Sequence, residues 1–174
     1  MQLISFREMS RDEVERVREL DVSEDGGVLF KQTGEDIEKF KSEWHRPRWD
    51  AAKCKSIAEA IISDLESGGV MLGAFEGELL VGVGVLRSRL EESVAELSGL
   101  WVSRNHRRRG IARHLASDIF RLAKEDGARE VYVSATASES AVGFYMNQGF
   151  RPTDKVNDEL FRQEPEDIHM RKAL

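Results

Sequence analysis

The sequence predicts an α/β fold, a mixed and mainly antiparallel sheet flanked by helices. Three observations predict it. Strand-like and helix-like runs alternate along the 174 residues. Two of the strand-like runs, 70–75 and 79–87, are joined by the tight turn Glu76-Gly77-Glu78 and read as a hairpin. Ile111, Leu115, Ile119 and Leu122 make one apolar helical face that must cover a sheet. The length corresponds to one domain, 1–174, with no repeat, low-complexity segment or linker, and is enough for a sizeable core.

In chain order, 3–8 alternates as a first strand, and Ser10 with Glu13 forms a capping-box signature that opens a helix to about residue 20. Residues 21–33, with Gly26 and Gly27, read as a loop. A helix over 34–44 is expected next, broken by His45-Arg46-Pro47-Arg48 and followed by a longer helix over 49–66 that ends at Gly68-Gly69. After the hairpin come a strand over 93–103, the helix over 111–124, a strand over 130–135 and a short helix over 141–148 closed by Gly149. Phe150 and 168–174 supply closing strands.

Composition narrows the function. The longest apolar and glycine run, 79–86, is far short of the ~18 residues of a membrane span, and no basic-then-apolar signal pattern opens the chain, so a cytoplasmic protein without a membrane partner is expected. Cys54 has no partner for a disulfide and lies on an apolar helical face with Ile57, Ala58, Ile61, Ile62 and Leu65. The net charge of −6 argues against nucleic acid as a partner. Asp154, Asp158, Glu159, Glu164, Glu166 and Asp167 concentrate acid late in the chain, as a solvated loop or as an attractor for a cationic amine. His45, His106, His114 and His169 have no metal-ligand spacing, so no metal is expected.

The most informative stretch is Arg107-Arg108-Arg109-Gly110-Ile111-Ala112, at the change from strand to helix. A helix start offers unpaired N–H groups and the positive end of the dipole, which suit a phosphate. Gly110 lets the backbone approach a pyrophosphate and reach φ > 0, Ala112 stays small, and the arginines add positive field. A Walker A loop is excluded because Ile111 and Ala112 follow Gly110, and Gly82 with Gly84 lack the third glycine of a dinucleotide fingerprint.

A second motif, Ala141-Val142-Gly143-Phe144-Tyr145-Met146-Asn147-Gln148-Gly149-Phe150, follows about thirty residues on. The Arg-x-x-Gly-x-Ala loop and the Ala-x-x-Phe-Tyr-x-x-x-Gly-Phe segment, in this order, resemble the GNAT superfamily of acetyl-CoA-dependent N-acyltransferases. The resemblance is specific over residues 94–150. It implies a sheet whose fourth and fifth strands splay apart, with two helices between the first two strands.

It also implies acetyl-CoA as co-substrate and an amine of a small molecule or peptide as acceptor; the chain could act as a homodimer. Arg107, Arg108, Arg109, Gly110, Ile111, Ala112 and the adjoining Arg113 would hold the pyrophosphate, and His106 could touch a phosphate. Leu100, Trp101 and Val102 would offer main-chain groups to the pantetheine arm as an added strand does, with an N–H near Leu100 facing the developing oxyanion. Glu96 stands where several family members carry a catalytic glutamate, and would take the proton of the amine. Tyr145 occupies the tyrosine position that would protonate the leaving thiolate, and would also contact the coenzyme. Ser138 stands where many members have a coenzyme-binding asparagine; its hydroxyl could still make one hydrogen bond. Trp44, His45, Arg48 and Trp49 fall in the region that lines the acceptor pocket in this family, and His169 decorates the last strand. No base accompanies Cys54, so direct attack is expected rather than a covalent route. The competing reading is a non-catalytic acyl-CoA-binding regulatory module.

Overall fold

The computed structural model describes residues 2–174. In chain order its elements are β1 (Ile4–Met9), a 3-10 helix (Arg11–Glu19), β2 (Glu24–Thr33), β3 (Asp36–Arg46), α1 (Ala51–Glu66), β4 (Val70–Glu76), β5 (Leu79–Glu91), β6 (Val94–Val102), α2 (Ile111–Glu125), β7 (Glu130–Ala135), α3 (Glu139–Asn147), β8 (Arg151–Pro152), α4 (Asp158–Gln163) and β9 (Ile168–Ala173). Seven strands form one sheet in the order β1-β4-β5-β6-β7-β9-β8, and β2 pairs with β3 in a separate hairpin. All pairs in the large sheet are antiparallel except β6 with β7. The architecture is the mixed, mainly antiparallel α/β fold expected from the sequence.

Each face of the sheet is sealed by its own apolar layer. On one side Ile111, Leu115 and Ile119 of α2 and Val142 and Tyr145 of α3 pack against Val81, Leu97, Val131 and Val133. The helix comes close because β5 is bare at Gly82, where a Cβ would lie 2.9 Å from Ile111 Cγ2. On the other side Val14, Val17, Ala58 and Ile61 cover Met71, Phe75, Val83 and Val85. Cys54, on the same helix, is half-buried.

β6 and β7 pair only at Val94↔Glu130, Ala95↔Val131 and Glu96↔Tyr132, after which they part. The result is a wedge, open toward the C-terminal ends of both strands. β6 also carries a bulge. Leu97 faces Leu86 and Gly99 faces Val85, leaving Ser98 as the extra residue. The bulge changes the alternation of side chains: Ala95 and Leu97 share the α2 layer with Leu100 and Val102, whereas Trp101 lies in the α1 layer.

Four expectations are corrected. The helix over 34–44 is strand β3, and the loop over 21–33 contains its partner β2. Ile37, Phe40 and Trp44 are spaced as on a helical face, but Gly34 adopts φ +63° and turns the chain, and the Trp44 indole N–H donates to Val28 O at 3.2 Å across the hairpin. The stretch after Ser10 is wound as a 3-10 helix; the Glu13 carboxylate still accepts from Ser10 N at 3.2 Å, as a capping box requires. The late acidic stretch contains α4, capped by Asn157 Oδ1, which accepts from Leu160 N at 3.1 Å.

Candidate active site

The wedge exposes main chain on its β6 side. Ser103 N donates to Val81 O, so by antiparallel alternation Trp101 also spends its N–H and C=O on β5 while Leu100 and Val102 turn theirs toward the gap. Of the three residues expected to meet the pantetheine arm, Leu100 and Val102 are therefore oriented for it. Trp101 is not. Its ring instead meets Trp49 edge-on at 5.1 Å. Val102 O already accepts from Arg107 Nε at 3.1 Å.

Glu96 sits at the point where the strands separate and is 6 % exposed. Desolvation by burial raises its carboxyl to about 7, with Arg87 opposing and the negative Asp64 and Glu159 adding to the rise. Arg87, its cross-strand partner, places Nη1 3.5 Å from Glu96 Oε2 and Nη2 3.3 Å from Glu159 Oε2 on α4. The bulged Ser98 donates to Asp64 Oδ2 on α1 at 2.7 Å. Asp64, whose carboxyl burial also raises, thus joins Glu96, Arg87 and Glu159 in one charge cluster on the α1 face. Arg87, Asp64 and Glu159 had no motif to mark them, because their relation to Glu96 depends on cross-strand and helix-to-sheet contacts.

At the wedge mouth, α2 starts with Gly110 as its N-cap at φ +79° and has no side-chain cap. Arg108 is also left-handed, at φ 62°. A Cβ at Gly110 would find only Arg113 Nη2, at 3.9 Å, so the space before the helix is open. These features fit an anion held by backbone N–H groups. The arginines are not a uniform field: Arg109 Nη2 lies 3.5 Å from Glu76, and Arg107 folds over the β6 terminus with Nη1 3.9 Å from Glu24. His106 turns to Glu76, its Nε2 2.8 Å from Oε2, while its Nδ1 is buried without a partner among the described residues.

Across the wedge, Tyr145 projects from α3 with its ring edge-on to Phe144 at 5.3 Å and Phe150 at 5.5 Å. Burial first, then the charge of Asp167, pushes its phenol above the ordinary range, so it is held protonated. Ser138 caps α3, its Oγ accepting from Ala141 N at 3.2 Å, so this acceptor is committed to the helix. His169 lies on the last strand, β9, where it is buried. Its Nε2 donates to Glu164 O at 3.1 Å, leaving Nδ1 to accept from the Tyr132 hydroxyl at 2.7 Å.

The hairpin crosses the open end. Phe30 N donates to Ala137 O at 2.8 Å, Glu24 accepts from Ser140 Oγ at 2.6 Å, and Arg104 N at the β6 end donates to Asp21 O at 2.8 Å. Trp44 and His45 stand on this hairpin rather than on a helix.

The sequence model of the acetyltransferase (GNAT) family matches residues 32–150. The chain belongs to the GNAT acetyltransferase family. Human N-acetyltransferase 8 is 33 % identical over 110 residues, 60 % of this GNAT chain and 48 % of the relative, so the chain spans about half the length of that protein. Two solved structures share the fold over nearly the whole length. Nourseothricin acetyltransferase superposes with TM-score 0.73 at 16 % identity, covering 98 % of both chains. A putative streptothricin acetyltransferase from Bacillus anthracis str. Ames, solved in complex with acetyl coenzyme A, gives 0.71 at 13 % identity over 99 % of both. Among the described residues no helix is long and apolar enough to cross a membrane, and no three or more His, Cys, Asp or Glu side chains are grouped so as to hold a metal ion.

Proposed function

We propose that the chain is an N-acetyltransferase, transferring the acetyl group of acetyl-CoA to a primary amine of a small molecule or peptide by direct attack. The observation that carries the proposal is Glu96: a buried carboxyl raised to about 7, at the floor of the gap between the diverging strands. An alkyl ammonium has a pKa of ~10.4 and must lose a proton before it can attack, and a base poised near neutrality is best matched to that task.

The open N-terminus of α2 would hold the pyrophosphate, and the outward main chain of Leu100 and Val102 the amide-rich arm. Bound there, acetyl-CoA supplies an acyl group already activated as a thioester. Glu96 takes the ammonium proton before attack and gives it up to solvent; as the neutral nitrogen forms the new bond to carbon, the second proton that it sheds passes to Glu96 in turn. An N–H from the exposed β6 edge faces the negative charge that develops on oxygen; such a donor is typically worth ~3 kcal/mol. The bond to sulfur breaks with its electron pair on sulfur, and the Tyr145 hydroxyl, kept protonated by burial, returns a proton to it.

Amine-dependent thiol release, measured over a panel of primary amines with acetyl-CoA, tests the reading. Glu96→Gln should lower turnover by ~10²–10⁴ at neutral pH and recover in part as pH rises, because more acceptor then arrives neutral. Coenzyme affinity should not change. Coenzyme binding with no amine-dependent thiol release would instead indicate a non-catalytic acyl-CoA-binding module.

A further inference from the structure

One carboxylate near the wedge has no part in the acid-base chemistry above. Asp167 immediately precedes β9, is only partly exposed, and accepts from Ser134 Oγ at 2.9 Å. It has no cationic partner among the described residues. An ionised carboxylate out of water and without a cation is costly, and one hydroxyl offsets little of the cost.

Its position follows from the strands. Val131, Val133 and Ala135 pack in the α2 layer, so Tyr132 and Ser134 point to the opposite face, the face on which Glu96 meets Asp64 and Arg87. Tyr132 is the register partner of Glu96, and Ser134 lies two residues further along β7, where β6 has already turned away. With a rise of ~3.3 Å per residue and strands ~4.8 Å apart at their last pair, the main chain at Ser134 is at least about 8 Å from that at Glu96.

We propose that Asp167, oriented by Ser134, is an ammonium-binding subsite for a second cationic group of the acceptor, and that the preferred acceptors are diamines. The inference rests on the N-acetyltransferase reading for the fate of the first amine, which Glu96 deprotonates. The second stays charged and pairs with Asp167. Burial holds the Asp167 carboxyl up at about 6, a cost that an arriving ammonium relieves.

Equilibrium titration of the full chain with butane-1,4-diamine and with butan-1-amine, followed by NMR, tests this without requiring turnover. The parent should bind the diamine about ten- to hundredfold more tightly, the range of one charge-assisted hydrogen bond in a partly buried site. Asp167→Asn keeps the shape and the acceptor for Ser134 Oγ, and should abolish the preference while leaving butan-1-amine binding unchanged. Equal binding of the two amines by the parent, or a preference that survives in Asp167→Asn, overturns the proposal. Loss of both amines together in Asp167→Asn also overturns it, because the role is then structural. A preference that depends on Asp167, with neither amine acetylated, would sink the N-acetyltransferase reading and leave the subsite standing.

Discussion

Arg87 divides its guanidinium between two carboxylates, Glu96 on β6 and Glu159 on α4, while Asp64 adds its charge from α1. If Glu96 is the base, the acidic limb of the kcat/KM profile reports its titration. Arg87→Gln removes the positive charge that lowers the Glu96 carboxyl, so the limb should move upward from about 7 and activity at neutral pH should fall. Glu159→Gln removes a negative charge and should move the limb downward, and Arg87→Lys should restore most of the parental profile. Limbs that coincide in all four proteins would separate Glu96 from the rate. The arginine-glycine loop could be picked out from residue types in order along the chain, and Glu96 through the family resemblance that the loop helped to carry. Arg87, Asp64 and Ser134 could not, since each gains its chemistry from a neighbour on a different strand or helix, and Asp167 was marked only as one member of the late acidic stretch.

Among the elements, the start of α2 is the most constrained. Gly110 at φ +79° is a position where a Cβ is disfavoured, so Gly110→Ala should cost ~1 kcal/mol in urea denaturation. The added methyl also stands where the backbone must approach the pyrophosphate, and calorimetry should show coenzyme affinity falling more than tenfold. Arg109→Ala, removing one charge already opposed by Glu76, should lose less than tenfold. Equal losses in the two variants would show that charge, and not backbone access, holds the coenzyme. The elements misjudged from sequence have physical explanations. Ile37, Phe40 and Trp44 satisfy a helical period as well as a strand that is mostly exposed, and the signal against the helix was Gly34, a turn residue at the supposed helix start. The six residues of α4 are too few to show a period at all; Asn157 before Asp158 and Glu159 was the available sign of a helix start.

At the scale of the whole molecule, buried acid sets the pH dependence of folding. Glu96 and Asp167 are raised to about 7 and about 6, so the folded chain binds more protons than the unfolded one across the interval above the ordinary carboxyl range. Their contribution is fully present below pH ~4 and is lost as pH rises through the folded values. Glu13, drawn down to about 2 chiefly by its hydrogen bond from Arg7, acts in the opposite sense at lower pH. Urea denaturation should therefore show Glu96→Gln becoming more stable relative to the parent between pH 4.5 and 7.5, by up to ~3 kcal/mol. A constant difference over that range would mean that Glu96 titrates normally. The hairpin of β4 and β5 was legible from its turn, and the diverging pair from the resemblance of the two motifs to a family whose sheet divides there; the insertion of β9 between β7 and β8 joins segments that no local pattern connects. The bulge at Ser98 has a consequence for how this architecture can vary. Glu96 and Trp101 are five residues apart, and in a regular strand an odd separation would send them to opposite layers. One surplus residue reverses the phase, so acid and indole are delivered to the same side by a single strand. The strand behaves as a counting device: inserting or deleting a single residue between those two positions would send acid and indole to opposite layers.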